Sequence, residues 1–294
     1  MLFDVQYESD PLGRIARKVE TTNGTVHIYV CNYSISGYLE RVSVDGVTAS
    51  SYGFDLNGNR TSYSGVLGNR NATYDAQDRM LTYGGASYLY NANGELTTRT
   101  EADTTTRYEY DLLGNLKKVI LSNGKVIEYI VDGNNRRIGK KVNGVMVHTW
   151  MYESQLCPAA EYDGAGNLIA RFIYGTKVNV PEYMVKNGVT YRIITDHLGS
   201  VRYVVETSSG EIAQSLTYYE YGLVLSDNNP GLIPSVSQEE CMTARLGLCG
   251  LARGITMRSV AGGRVRIRSG LMVGIIIYIG MSEIVLQIGL ILLV

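Results

Sequence analysis

The residues with the clearest chemical potential stand in one short segment: Asp196, His197, Leu198, Gly199 and Ser200. An acid, an imidazole and a hydroxyl are the residue types of a hydrolase triad, but triads assemble in space from separate segments of a chain. We therefore favour a turn in which Asp196 accepts backbone N–H groups and Gly199 supplies a positive φ. Hydrolysis at Asp196 and His197 is the weakest of our three functional hypotheses.

The other candidate ligands predict neither a metal site nor a cofactor site. His27 and His148 lie in strand-like runs, with no Cys, Asp or His beside them at the spacing of zinc ligands. The four cysteines, at positions 31, 157, 241 and 249, form neither a closely spaced pair nor a dense disulfide framework. We predict that the chain has no cofactor and no bound metal.

The composition favours β-strands. The 294 residues include 33 Gly and 23 Tyr, against three Phe and one Trp. A tyrosine ring can cover the pleated face of a sheet while its hydroxyl reaches water or a partner. A net charge of -1 argues against nucleic acid as a partner, because neutralising phosphates requires a basic surplus. The sequence therefore predicts an all-β protein of short strands and tight turns.

A motif recurs along the chain: an aromatic residue (Val in the degenerate copy at 131), Asp or Asn, two variable residues, then Gly or another turn former followed by Asn or Arg. Its copies begin at positions 54, 74, 90, 110, 131 and 162, so the steps are 20, 16, 20, 21 and 31 residues. This spacing indicates a repeat of about twenty residues with insertions. The acid or amide oxygen can accept backbone N–H groups, and Gly supplies a positive φ. The predicted turn residues are Asp55, Gly58, Asp75, Asp78, Asn91, Gly94, Asp111, Gly114, Asp163 and Gly166.

A second set of turns lies between these motifs. Asn23-Gly24, Asn123-Gly124, Asn143-Gly144 and Asn187-Gly188 each separate two strand-like runs, and Asn-Gly is the strongest short-range signal of a β-hairpin. A single hairpin cannot bury a face alone. We therefore expect stacked β-hairpins that form a solenoid-like array, with Tyr at equivalent positions.

These motifs closely resemble the tyrosine-aspartate (YD) repeats of the Rhs family, which includes bacterial polymorphic toxins, wall-associated proteins, insecticidal toxin complex subunits and the teneurins. The stretch from Tyr191 to Arg202, followed by Asn229-Pro230-Gly231, resembles the start of the Rhs-associated core. The resemblance implies that the repeats form part of a spiral β-shell around a C-terminal effector, and that the core closes the shell and releases the effector by self-cleavage. The cleavage residues of the family belong to the end of the core, and none is carried over to this chain.

The tail departs from that family pattern. Residues 232–294 contain one Tyr, six Arg, no Asp and no Lys. Read in one constant shifted frame, with free choice of synonymous codons, the segments 237–258 and 262–279 can encode sequences similar to the missing part of the core. We therefore predict that 232–294 is an aberrant, out-of-frame tail.

The tail also permits a physical interpretation as a membrane anchor. Leu271 to Val294 is strongly apolar over 24 residues and follows Arg264, Arg266 and Arg268, as a membrane-spanning helix with a basic flank would. Glu283 would cost about 2.5–3.5 kcal/mol at the centre of such a helix, which so apolar a segment tolerates. Any membrane association is expected only through this segment.

Three domains follow from these patterns: a YD-repeat β-hairpin array over 1–183, the start of the Rhs-associated core over 184–231, and the aberrant apolar tail over 232–294. The leading functional hypothesis is a non-catalytic structural fragment of a polymorphic-toxin-type or cell-surface protein, whose parent encloses or presents a C-terminal effector as its partner. A carbohydrate-binding or adhesion module is the alternative. The N-terminus has no signal-peptide pattern, and the parent is expected to be secreted or at the cell surface.

Overall fold

The computed structural model describes residues 3–177, 180–222 and 224–233, together with two paired two-residue strands, Val265–Arg266 and Ile276–Ile277. The described residues form strands, turns and loops, and contain no helix. Within residues 3–90 and within residues 96–227, each strand runs antiparallel to the strand before it. The prediction of an all-β protein built from consecutive hairpins is therefore confirmed.

The described part of the chain falls into two compact units, residues 3–88 and 89–233. The first unit contains β1 (Phe3–Ser9), β2 (Ile15–Thr22), β3 (Thr25–Tyr33), β4 (Leu39–Val44), β5 (Val47–Phe54), β6 (Arg60–Gly65), β7 (Arg70–Tyr74) and β8 (Met80–Tyr83), and the boundary falls inside β9 (Ala86–Tyr90).

The second unit continues the same pattern with thirteen strands. They are β10 (Leu96–Glu101), β11 (Thr104–Tyr110), β12 (Leu116–Ile120), β13 (Val126–Val131), β14 (Arg137–Val142), β15 (Val145–Tyr152), β16 (Pro158–Asp163), β17 (Leu168–Tyr174), β18 (Pro181–Lys186), β19 (Val189–Thr195), β20 (Val201–Glu206), β21 (Ile212–Tyr218) and β22 (Val224–Asp227).

Two-residue turns join many of the strands. At Asn23-Gly24 both residues have positive φ, 48° and 81°, which is the type I′ geometry that matches the twist of a hairpin. Asn143-Gly144 and Asn187-Gly188 have the same geometry. Asn123-Gly124 also closes a hairpin, but of the two residues only Gly124 has a positive φ, so it belongs to the five-residue turns described below.

Alternation along the strands buries one face of each unit. In the first unit Cys31 and Val42 face each other on neighbouring strands and are both buried. In the second unit a core cluster joins Ala170, Met184, Val204 and other apolar residues to Ile233, which follows the last strand. The chain after β22 therefore returns to the buried face of β17–β21.

In a meander of antiparallel strands, every second connection lies at the same end of the strands. In the second unit the turns at 91–95, 111–115, 132–136, 153–157 and 196–200 lie at one end. The turn at 163–167 lies at the opposite end. The step of 31 residues between the copies at 131 and 162 is therefore one hairpin plus one strand. It is not an insertion within a repeat.

The division at 183 and 231 remains a prediction, because residue 183 lies inside β18 and residues after 233 lie outside the described part, apart from the two short strands. The proposed out-of-frame tail lies there, as does the apolar segment Leu271 to Val294. Among the described residues no helix has the length and apolar character needed to cross a membrane.

Candidate functional site: the linked repeat turns

The turn from Asp55 to Asn59 shows how the YD motif is built. The N–H of Asp55 donates to the carbonyl of Asn59 (3.0 Å), and the N–H of Gly58 donates to the carbonyl of Asp55 (3.1 Å). Asp55 Oδ1 accepts the N–H groups of Asn57 (2.9 Å) and Asn59 (2.8 Å), while Oδ2 accepts Asn59 Nδ2 (3.0 Å). Gly58 has φ 85°. This is a type I turn followed by a left-handed residue, here called a repeat turn.

The same carboxylate pattern recurs in both units. In each copy the acid accepts backbone N–H groups from the second and fourth residues after it. The acids are Asp10, Asp55, Asp75, Asp111, Asp132, Asp163 and Asp196, and the left-handed residues that close the turns are Gly13, Gly58, Asp78, Gly114, Asn135, Gly166 and Gly199.

Asn91 occupies the acid position in the turn that Gly94 closes. Its Oδ1 accepts the N–H of Glu95 at 2.9 Å, and its Nδ2 donates to Glu95 Oε2 at 2.6 Å. The acid and the donor have therefore exchanged places, and the bond between the first and fifth residues of the turn is kept.

The side chain of the fifth residue of the turn donates a hydrogen bond to the second carboxylate oxygen of the acid. Arg79 Nε donates to Asp75 Oδ2 at 2.5 Å, and Arg136 Nε donates to Asp132 Oδ2 at 2.8 Å. These ion pairs are partly buried. The sequence motif shows the preference for Asn or Arg at this position but not its cause, which is the second carboxylate oxygen.

These bonds lower the pKa of several turn acids. The side-chain hydrogen bond from Arg14 is the main cause of the lowered pKa of Asp10. Burial alone would raise the pKa of Asp75, but hydrogen bonds from Arg79 and Gln77 outweigh it, so this pKa is also lowered. The charged form of each acid is thus the form that the turn stabilises.

Consecutive repeat turns contact each other through fixed positions. The fifth residue of one turn touches the left-handed residue of the next. Asn59 Nδ2 donates to Asp78 Oδ1 (2.7 Å), and Asn115 Nδ2 donates to Asn135 Oδ1 (3.0 Å). Where the left-handed residue is Gly58, a Cβ built on it would collide with the hydroxyl of Tyr38, the fifth residue of the preceding turn, which spans 34–38. These three contacts join pairs of neighbouring turns, whereas a Cβ built on Gly13 or Gly166 would meet nothing within 4 Å.

The tyrosine before the turn forms a second link to the preceding repeat. The hydroxyls of Tyr33, Tyr74, Tyr152 and Tyr174 donate to the carbonyls of Ile15, Arg60, Arg137 and Pro158, respectively, at 2.9, 2.9, 2.9 and 3.0 Å. In each case the carbonyl belongs to the residue that directly follows the preceding turn. Burial raises the pKa of Tyr152 and Tyr174, so these phenols remain protonated donors.

Arginine completes the link between some turns. The guanidinium of Arg14 lies 4.4 Å from the ring centroid of Tyr33, and that of Arg136 lies 5.3 Å from Tyr152. Each of these arginines also pairs with the acid of its own turn. Asp, Arg and Tyr therefore form one connected chain across two repeats, with a cation–π contact at its centre.

The core-like segment 196–200 has the geometry of a repeat turn. Asp196 Oδ1 accepts the N–H groups of Leu198 (3.0 Å) and Ser200 (2.9 Å), and Gly199 has φ 85°. His197 is exposed at the tip of the turn. The carboxylate is thus occupied by backbone donors, as in the other turns.

Two acids that the sequence does not place near histidines lie beside them in space. His27 Nδ1 lies 2.7 Å from Asp45 Oδ2, and His148 Nδ1 lies 2.8 Å from Glu161 Oε1. The partners are 18 and 13 residues apart, and only the strand register brings them together. No group of three or more His, Cys, Asp or Glu side chains suited to a metal ion occurs within the described ranges.

Comparison with known proteins gives a family match over most of the chain. The model described as Teneurin YD-shell matches residues 2–234. Teneurin-1 of Gallus gallus is 26% identical over 213 residues, which cover 69% of this chain and 8% of the relative. Teneurin-3 of Danio rerio is 24% identical over 245 residues, which cover 78% of this chain and 9% of the relative. The chain thus spans less than a tenth of the length of these curated relatives.

A solved structure supports the same fold. The crystal structure of TcdB2-TccC3-Cdc42 matches with a TM-score of 0.50 and 16% identity, over 90% of this chain and 16% of that chain. At this identity the likeness concerns the fold alone. The expected β-shell architecture of YD repeats is confirmed.

Proposed function

The chain belongs to the teneurin YD-shell family, and on this premise we propose that it is a non-catalytic structural piece of a larger β-shell, whose parent encloses or presents an effector segment. The observation that carries the proposal is the bonding between consecutive turns. Asn59 bonds to Asp78 and Tyr74 bonds to Arg60, so neighbouring hairpins are joined beyond the sheet ladder itself. Such bonds between neighbouring hairpins are suited to the wall of a β-shell that has to remain closed.

Two alternatives receive less support from the contacts. A hydrolase would need the Asp196 carboxylate to orient His197, yet Oδ1 of Asp196 accepts two backbone N–H groups. A carbohydrate site would need tyrosine faces that are open to a sugar. Tyr33 and Tyr152 instead lie against arginines and direct their hydroxyls to backbone carbonyls.

We place the parent outside the cytoplasm, as a secreted or cell-surface protein, and its partner is the effector segment. Resequencing the gene across codons 228–240 tests whether the reading frame continues into a full core. A restored frame supplies the parent protein for the functional experiment.

The functional experiment measures protection of the downstream segment in that parent. Limited proteolysis of the intact parent is compared with a parent that lacks residues 3–233. We expect the segment after the core to resist the protease only when 3–233 are present. Equal cleavage in the two proteins overturns the proposal of an enclosing wall.

A further inference from the structure

One face of the second unit already holds a stretch of polypeptide by its main chain. Lys186 Nζ donates to the carbonyls of Gly231 (2.7 Å) and Leu232 (2.8 Å). Gln214 Oε1 accepts the N–H of Ile233 at 3.3 Å, and Gln214 is completely buried. Each of these contacts joins a side chain to the backbone. They would therefore form with almost any sequence at these positions.

Further polar atoms lie on the same face. Trp150 pairs in register with Glu161, Glu161 with Ala170, and Ala170 with Lys186, so the four residues form one row across β15–β18. With neighbouring strands about 4.8 Å apart, the row extends over about 14 Å. An extended segment of four or five residues has this length, since each residue adds about 3.3 Å.

Two atoms of this row have no hydrogen-bond partner among the described residues: Trp150 Nε1 and Glu161 Oε2, both buried. A buried donor or acceptor without a partner is destabilising, so such atoms are rare in folded proteins. A peptide group supplies both missing partners, since its carbonyl can accept from the indole N–H and its N–H can donate to the carboxylate.

The surroundings hold the two atoms in place. His148 stacks on Trp150 with ring centroids 5.9 Å apart. Its Nδ1 lies 2.8 Å from Glu161 Oε1, near enough for an ion pair but not in line for a hydrogen bond. This contact occupies one carboxylate oxygen and leaves Oε2 for a ligand. Ala170, between Glu161 and Lys186, is completely buried and belongs to the same apolar cluster as Ile233.

We propose that Trp150, Glu161 and Lys186 form a track that binds the main chain of an extended polypeptide, and that its occupant is the polypeptide continuing from Ile233. This inference rests on the proposed function, because it describes how the wall holds the polypeptide that directly follows its last described strand. Because such a track forms hydrogen bonds with peptide groups, it can bind a segment whatever its side chains are. The wall then need not match the sequence of its cargo.

The test is limited proteolysis of the full 294-residue chain with proteinase K, followed by mass spectrometry of the cleavage sites after residue 233. Trp150→Phe keeps the ring and removes the N–H, while Glu161→Leu removes the acceptor. We expect each to raise the cleavage rate after residue 233 roughly five-fold, the effect of one net hydrogen bond. Glu161→Gln keeps an acceptor oxygen and should stay within two-fold of the unsubstituted chain.

The control variant is Glu109→Leu, which removes an exposed strand glutamate paired with Lys118 and should leave the cleavage rate unchanged. A second chain carries residues 234–294 in scrambled order and should keep the protection. Circular dichroism verifies that each variant is folded.

Three results overturn the track: cleavage of the unsubstituted chain as fast as in urea, no response to Trp150→Phe, or loss of protection after scrambling. Protection that ignores Trp150→Phe contradicts the track alone and leaves the enclosing wall intact.

Discussion

Asn59 Nδ2 donates a hydrogen bond to Asp78 Oδ1 across 2.7 Å, although the two residues belong to different repeat turns. Asp78 has φ 59° and stands where most other turns have glycine. A left-handed conformation costs a residue with a Cβ about 1–2 kcal/mol. Asn59 is buried, so its amide needs acceptors. The bond to Asp78 offsets the backbone cost and satisfies the amide at once.

A double-mutant cycle measures this contact. Asn59→Ala and Asp78→Ala each also disturb their own turns, but the cycle isolates the term that they share. We expect a coupling of about 1 kcal/mol in the free energy of unfolding, measured with urea. A coupling below about 0.3 kcal/mol, the usual error of additivity, would show that the turns do not stabilise each other through this pair.

Local patterns predict the turns well. The acid and the left-handed residue of a repeat turn lie within four positions of each other, so a short motif such as Asp111 to Gly114 contains both the hydrogen-bond acceptor and the φ preference. Asn123-Gly124 shows the limit of this approach. The same dipeptide forms either a two-residue turn or the end of a five-residue turn, and the strand register decides which.

The links between repeats could not be predicted in this way. The bond from Tyr152 to the carbonyl of Arg137 depends on which strands are adjacent. The contact between His148 and Glu161 likewise exists only because β15 and β16 pair with Trp150 opposite Glu161. A periodic motif gives the length of the repeat. It does not show which atoms of one repeat meet those of the next.

Substitution of Gly114 tests the turn conformation. Gly114 has φ 81°, where a β-branched side chain clashes with the backbone. Gly114→Val should lower the free energy of unfolding by about 1–3 kcal/mol. Gly114→Asn should cost less, because Asn135 already adopts φ 59° at the equivalent position of another turn.

Gly133→Val is the matched control for this substitution. Gly133 lies in a repeat turn, has no positive φ, and a Cβ built on it meets nothing within 4 Å. It should change stability by less than about 0.5 kcal/mol. Equal urea midpoints for Gly114→Val and Gly133→Val would contradict the assigned role of the left-handed position.

Removal of one hydroxyl tests the tyrosine link. Tyr152→Phe keeps the ring against Arg136 and removes the donor to the carbonyl of Arg137. The loss should be about 1 kcal/mol. Tyr162→Phe serves as the control, since the Tyr162 hydroxyl makes no hydrogen bond to the described residues. If the two variants unfold at the same urea concentration, the hydroxyl bond does not contribute to stability.

We expect the free energy of unfolding to fall in acid, because the carboxylates of the repeat turns become protonated. The pKa values of Asp10, Asp75, Asp111, Asp132 and Asp163 are all lowered in the folded state. A carboxyl group whose folded pKa lies below its unfolded value, about 3.9 for Asp, stabilises the fold above that unfolded value. This stability is lost as the pH falls through the folded pKa. We expect the urea midpoint to decrease from about pH 5 downward.

Asp132→Asn measures how much a single turn contributes to this loss of stability in acid. Burial would raise the pKa of Asp132, but the hydrogen bonds from Arg136 and from the N–H of Asn134 outweigh it. The asparagine variant cannot lose a charge in acid, so its urea midpoint should start lower at pH 7 and fall less steeply between about pH 5 and pH 3. Parallel pH profiles for the variant and the unsubstituted chain would show that the ionised form of Asp132 does not stabilise its turn.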